Sequence, residues 1–193
     1  MWHFLRMKHP SGFGRFLKTS ELAGLGPKTR PGTATREELD EDLAPLLKSS
    51  NLSADRQRAV RSLLLLWHDH LEASHEIAQS IDNPDGAFAH GIMHRREPDF
   101  GNATYWFRRV GRHPAFSRLA SAVEPVLRAA SAESLAAILI PRGGWDPFAF
   151  INACEASAHE TDQQKFLLRQ IQQLEFEALL ESMLGGVEPW VVD

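Results

Sequence analysis

Five histidines, His68, His70, His75, His90 and His94, are interleaved with Asp69, Glu72, Glu76 and Glu97. Arg95, Arg96, Arg108, Arg109 and Arg112 accompany and follow them. Imidazole nitrogens and carboxylates are ligand types that zinc, iron and manganese accept. Imidazole is also the side chain best suited to exchanging protons near neutral pH. Arginine offers a rigid fork of donors matched to carboxylate or phosphate. Chemistry is therefore expected between residues 68 and 112.

Three readings follow from the spacing. On a helix each residue turns by about 100°, so His68, Glu72, His75 and Gln79 fall on one stripe beside the apolar seam. Asp69 points to the far side and His70 to the other flank. In the metal reading, His68, Glu72, His90 and His94 hold a divalent ion between facing helices, and the ion activates water for hydrolysis or takes part in oxygen chemistry. In the metal-free reading, the catalytic set is His68, Glu72, His75, His94 and Glu97, with a histidine as acid or base and Glu72 or Glu97 orienting it. Arg95, Arg96, Asn102, Tyr105 and Arg109 then hold an anionic small molecule. Arg109 is preferred over Arg108 because it shares a face with Tyr105 and Arg112. In the structural reading, Arg95, Arg96 and Glu97 pair with Asp69, Glu76 or Asp99 in a buried polar network without catalysis. Trp106 and Cys154 read as core. Glu155 and His159, four apart, either close the same pocket or form a surface contact.

The elements that must position these groups are helical. Thr35-Arg-Glu-Glu38 is a capping-box pattern that opens a helix to about Leu47. Val60, Leu63, Leu64, Trp67, Leu71 and Ala78 recur at helical spacing and predict one long helix over residues 54–81. Asn83-Pro-Asp-Gly86 ends it. Shorter helices are predicted over 88–95, 103–110 with Asn102 as cap, 114–130 with a kink at Pro125, 131–140 and 147–158 behind an Asp146-Pro147 start. A last long helix starts at Thr161 or Asp162 and stops at Gly185-Gly186. Gly91 argues against a regular helix around His90. The tail 187–192 could add one extended piece. The expected fold is all-α, a single irregular domain of six to eight helices over residues 35–193, preceded by a loop-like N-terminal arm over 1–34.

Bulk properties agree with one domain. The chain has 193 residues, 43% of them apolar. Its longest apolar runs, Leu63–Trp67 and Leu135–Ile140, are far shorter than the roughly 20 residues of a spanning helix. The single cysteine, Cys154, excludes an internal disulfide and suits a reducing, cytoplasmic setting. Residues 1–31 carry Arg6, Lys8, Arg15, Lys18, Lys28 and Arg30 against Glu21 alone, so the rest of the chain is strongly acidic. An acidic body is a poor match for a nucleic-acid backbone. The basic start lacks the apolar stretch of a secretory signal. No nucleic-acid or membrane partner is therefore expected.

Longer motifs carry resemblances. Trp67-His68-Asp69-His70-Leu71-Glu72 with Ser74-His75 is followed by His90-Gly91-Ile92-Met93-His94-Arg95-Arg96-Glu97-Pro98-Asp99. Asn102-Ala103, Tyr105-Trp106, Arg108-Arg109-Val110-Gly111 and His113-Pro114 come next. Together they resemble a family of bacterial and fungal proteins, over most of the chain after about residue 40, including Trp145-Asp146-Pro147 and the last helix. That resemblance implies no particular reaction. His68-x3-Glu72 with His90-x3-His94 resembles the central half of the hemerythrin di-iron pattern. It lacks the upstream histidine and an acid after His113, and Gly86 and Pro98 interrupt the long helices of that fold. His68-Asp69 is similar to the dipeptide of HD-type phosphohydrolases, whose other histidines and acids come in a different order.

Overall fold

In the computed structural model, which describes residues 12–185, the chain folds as helices joined by short turns, with no strand among these residues. The expected all-α architecture is observed. Thr35 caps α1 (Arg36–Ser49) with both halves of the predicted capping box. Two helices, α2 (Ala54–Trp67) and α3 (Leu71–Ala78), replace the single one predicted over 54–81. They are followed by α4 (Pro84–Arg96), α5 (Phe100–Val110), α6 (Pro114–Ala129), α7 (Glu133–Leu139), α8 (Pro147–Ala156) and α9 (Asp162–Met183). The split raises the helix count among the described residues to nine, one above the expected range.

The break between α2 and α3 has a specific cause. Asp69 adopts a left-handed backbone, φ 69°. The His70 amide reaches back to the Leu65 carbonyl at 2.9 Å and the Asp69 amide to that of Leu66 at 3.2 Å. This is the Schellman ending of a helix, which most often places glycine at the left-handed position. Here that residue is aspartate, which tolerates the conformation better than most side chains. Its carboxylate is also fully buried between two arginines. Oδ2 accepts from the Arg30 amide and Nε, both at 2.9 Å, and Oδ1 from Arg96 at 2.7 Å. The same guanidiniums close the end of α2, with Arg30 donating to the Trp67 carbonyl and Arg96 to that of Leu66. Positive charge at a helix C-terminus is favourable in itself. Burial raises the Asp69 carboxyl, but the hydrogen bonds and charges of Arg30 and Arg96 outweigh it and hold the group below the ordinary carboxylate range.

The described residues before α1, from Gly12 on, are loop-like apart from a 3-10 helix at Phe13–Leu17, yet they are built into the body. Phe13, Phe16, Leu17 and Ala23 belong to the core. Arg169 and Gln172 of α9 donate to carbonyls of Leu22, Ala23 and Gly24. His68 and His70 hold both backbone groups of Ala34. The expected arm is thus, from residue 12 on, part of the packed domain. Arg6, Lys8 and the tail 187–192 lie outside the described residues.

Further expectations change. α4 begins at Pro84, directly behind the cap Asn83, and continues through Gly91 without interruption. Gly91 is required by a neighbour: a Cβ there would lie 2.7 Å from the Phe107 ring of α5. α5 is capped by Asp99, which accepts the Asn102 amide at 3.0 Å, in place of Asn102. Pro125 lies inside α6, which is not split there. The core runs through Leu63, Leu64 and Trp67 of α2, Phe88, Ile92 and Met93 of α4, Phe107 of α5 and Ile171, Phe176 and Leu179 of α9. The rings of Trp67 and Phe176 meet edge to face at 5.2 Å. Among the described residues no helix is long and apolar enough to cross a membrane.

Two substitutions test this account. Asp69→Ala leaves two buried guanidiniums without their counter-charge and should cost about 3–5 kcal/mol in chemical denaturation; a loss below 1 kcal/mol would remove Asp69 from its central role. Gly91→Ala should cost about 1–3 kcal/mol through the clash with Phe107. An unchanged melting temperature would mean that the α4–α5 contact is looser than the geometry requires.

Candidate metal centre

The end of α2 decides which histidines meet. His68, the last residue held by α2, turns back toward the N-terminal segment. Its Nδ1 accepts the Ala34 amide at 3.0 Å, and its Nε2 lies 2.8 Å from the Phe16 carbonyl. An amide can only donate and a carbonyl only accept, so the ring is neutral with its proton on Nε2. Burial lowers its pKa, consistent with that assignment. The Nε2–H of His70 donates to the Ala34 carbonyl at 2.8 Å. Both rings hold the fold together, and neither is directed at a shared site.

α3 packs against α4, and there three other imidazoles converge. His75 comes from α3, and His90 and His94 from successive turns of α4. The His90 and His94 rings stack at 4.7 Å with 17° between their planes. His75 lies edge-on to both, at 4.8 and 5.2 Å. One ring nitrogen from each falls within 4.8 Å of the other two. Tetrahedral coordination by imidazole at about 2.0–2.1 Å needs nitrogens roughly 3.3 Å apart, so side-chain rotation is required to bring the three onto one ion. Among the described residues this is the group with metal-ligand proximity.

The site is buried and its polarity is unbalanced. His90 is 2% exposed, and neither of its ring nitrogens has a hydrogen-bond partner in the protein. Trp106 of α5 stacks on its other face at 3.9 Å, so His90 is layered between an indole and an imidazole. Burial, reinforced by His94 and His75, pushes the His90 pKa down to about 3. His94 is also lowered, chiefly by burial, while the nearby Glu97 carboxylate pulls the other way. Its Nδ1 lies 3.3 Å from Glu97 Oε2, although their alignment in this structure falls outside hydrogen-bond geometry.

The remaining expected residues are dispersed. Glu72 is exposed on α3 and lines a shallow depression with Glu76 and Glu97. Gln79 is also exposed. Arg95 is fully buried and forms a two-pronged pair with Glu175 of α9, with Gln172 at 3.3 Å and the Phe150 ring beneath its guanidinium at 4.4 Å. Arg96 is committed to Asp69 and to backbone carbonyls. Arg109 pairs with exposed Asp82 at 2.8 Å and lies over Trp106. Asn102 is exposed beside Asp99, and Tyr105 is half-exposed. Of the metal set read from the sequence, His90 and His94 come together, His68 and Glu72 lie apart from them, and His75 joins the pair. Arg30 is a structurally decisive residue the sequence did not mark out, and Trp106, read as core, stacks on His90. Trp106 lies on the α5 face that also carries Ala103, Phe107 and Val110, a pattern that signals burial without revealing the ring it covers.

Comparison of the chain with protein-family models, curated proteins and solved structures returns no match. The functional reading therefore rests on geometry.

The neutral, buried imidazoles make a pH prediction. A histidine whose folded pKa is lowered contributes stability that is present above its unfolded value of about 6.5 and is lost as pH falls toward the folded value. With chelator present, the urea midpoint of the wild type should fall relative to that of His90→Phe as the pH drops from roughly 7 to 5, a comparison that cancels the opposite contribution of Glu177, whose carboxyl is pushed up to about 7 by burial. A constant difference across that range would contradict the neutral assignment of His90.

Proposed function

We propose that this protein binds a divalent transition-metal ion through His75, His90 and His94. The observation that carries the reading is His90, a buried imidazole with both nitrogens unpartnered in the protein, set against two further imidazoles. An unsatisfied buried polar group costs about 1–3 kcal/mol, and coordination would offset that cost. Three nitrogen donors suit zinc and the neighbouring first-row ions and are a poor match for magnesium or calcium. Three protein ligands are also the usual complement of a catalytic zinc site, which keeps further positions for water or substrate. An ion held so acts as a Lewis acid and can activate water near neutral pH. The class this favours is a metal-dependent hydrolase.

The anion-binding reading has less support. Arg95 and Arg96, two of the donors it relies on, are occupied within the fold. The depression beside Glu97 is lined by three exposed acids, Glu72, Glu76 and Glu97, against one arginine, Arg36.

Elemental analysis and calorimetric titration of zinc into chelator-treated protein test the proposal. One equivalent per chain is expected, with binding lost in His90→Ala and His94→Ala and retained in His68→Ala. Equal affinity in the wild type and the His90 and His94 variants would sink it.

A further inference from the structure

We propose that Glu97 is a positioning residue of this centre: its carboxylate accepts a hydrogen bond from the Nδ1–H of His94 and so presents His94 Nε2 to the metal. The inference rests on the metal reading above and assigns a group outside the three ligands. Glu97 sits one turn beyond His94, at the end of α4, where its own amide is tied to the Met93 carbonyl at 3.0 Å. The Asp99 amide closes the same turn on the His94 carbonyl at 2.9 Å. These two bonds fix the backbone from which the carboxylate reaches His94. The 3.3 Å separation of Oε2 and Nδ1 needs only a small rotation to become a charge-assisted hydrogen bond.

Nδ1 of His94 is buried and has no hydrogen-bond partner in the protein. A neutral imidazole carries one proton, and the nitrogen bearing it cannot ligate. With the proton on Nδ1 facing a carboxylate, the lone pair is on Nε2. Metal-bound histidines commonly donate their second ring N–H to a carboxylate in this way, which orients the ring and strengthens the donor nitrogen. Glu97 has its other side on the depression shared with Glu72 and Glu76. Its side chain is 33% exposed, so water supports its charge while the imidazole is sheltered.

A different role, Glu97 as a fourth ligand, predicts a different result. The test uses cobalt(II) as the probe, added to chelator-treated full-length wild type, Glu97→Ala, Glu97→Gln and His90→Ala. Affinity and visible spectrum are read together. Positioning predicts affinity about 10–100-fold weaker in Glu97→Ala, partial rescue in Glu97→Gln, whose amide oxygen still accepts the Nδ1 proton, and an unchanged cobalt band shape in both. The apo proteins should share the wild-type circular dichroism and melting temperature, since Glu97 is exposed. Wild-type affinity in Glu97→Ala overturns the proposal while His90→Ala still shows the loss. A changed band shape in both Glu97 variants overturns it in favour of direct ligation. Undiminished binding in His90→Ala removes the metal reading and the positioning role with it.

Discussion

The Asp69 carboxylate, buried between Arg30 and Arg96, is the interaction on which the rest of the structure depends. It joins three parts of the chain at one point: the N-terminal segment, the α2–α3 junction and the end of α4. A buried ion pair is not by itself a source of stability, because desolvation opposes the attraction. Its effect here is geometric. It holds Asp69 in a left-handed turn, ends α2 and sets the direction of α3. The ring of His75 faces α4 only because of that change of direction.

The neighbouring residues of α4 divide their work by angle. Consecutive positions on a helix diverge by about 100°. Arg95 therefore reaches α9, while Arg96 reaches the α2–α3 junction. His90 and His94, one turn apart, face α3 together. The dense run of charge and imidazole that reads as one cluster in sequence becomes a core ion pair, a junction clasp and a histidine triad. The two arginines make α4 a rigid strut, and the triad is mounted on it. Close packing at Gly91 brings α5 near enough for Trp106 to cover His90.

The structural reading of this region is thus realised between Arg96 and Asp69, and the metal proposal rests on different residues. The pairing of Arg96 with Asp69 was one of the contacts the structural reading allowed. Arg95 instead found Glu175, a residue 80 positions away. Glu97 remained near the surface beside His94. His90, with neither ring nitrogen partnered and two further imidazoles beside it, is the residue that carries the metal proposal.

What the sequence determined by itself was local. The capping box at Thr35, the Asp146-Pro147 start, the apolar seam of α2 and the absence of β-alternation were sufficient for an all-α fold, because caps and periodicity act over a few residues. The identity of the chemical segment was also legible, since residue type does not depend on folding. What only the tertiary structure decided was the break at Asp69 and, with it, the choice of His75 over His68. Helix-ending turns are usually announced by glycine, and here the left-handed position is held by an aspartate whose partners lie 39 and 27 residues away. Local propensity cannot register contacts at that range, so a seam that reads as one helix becomes two.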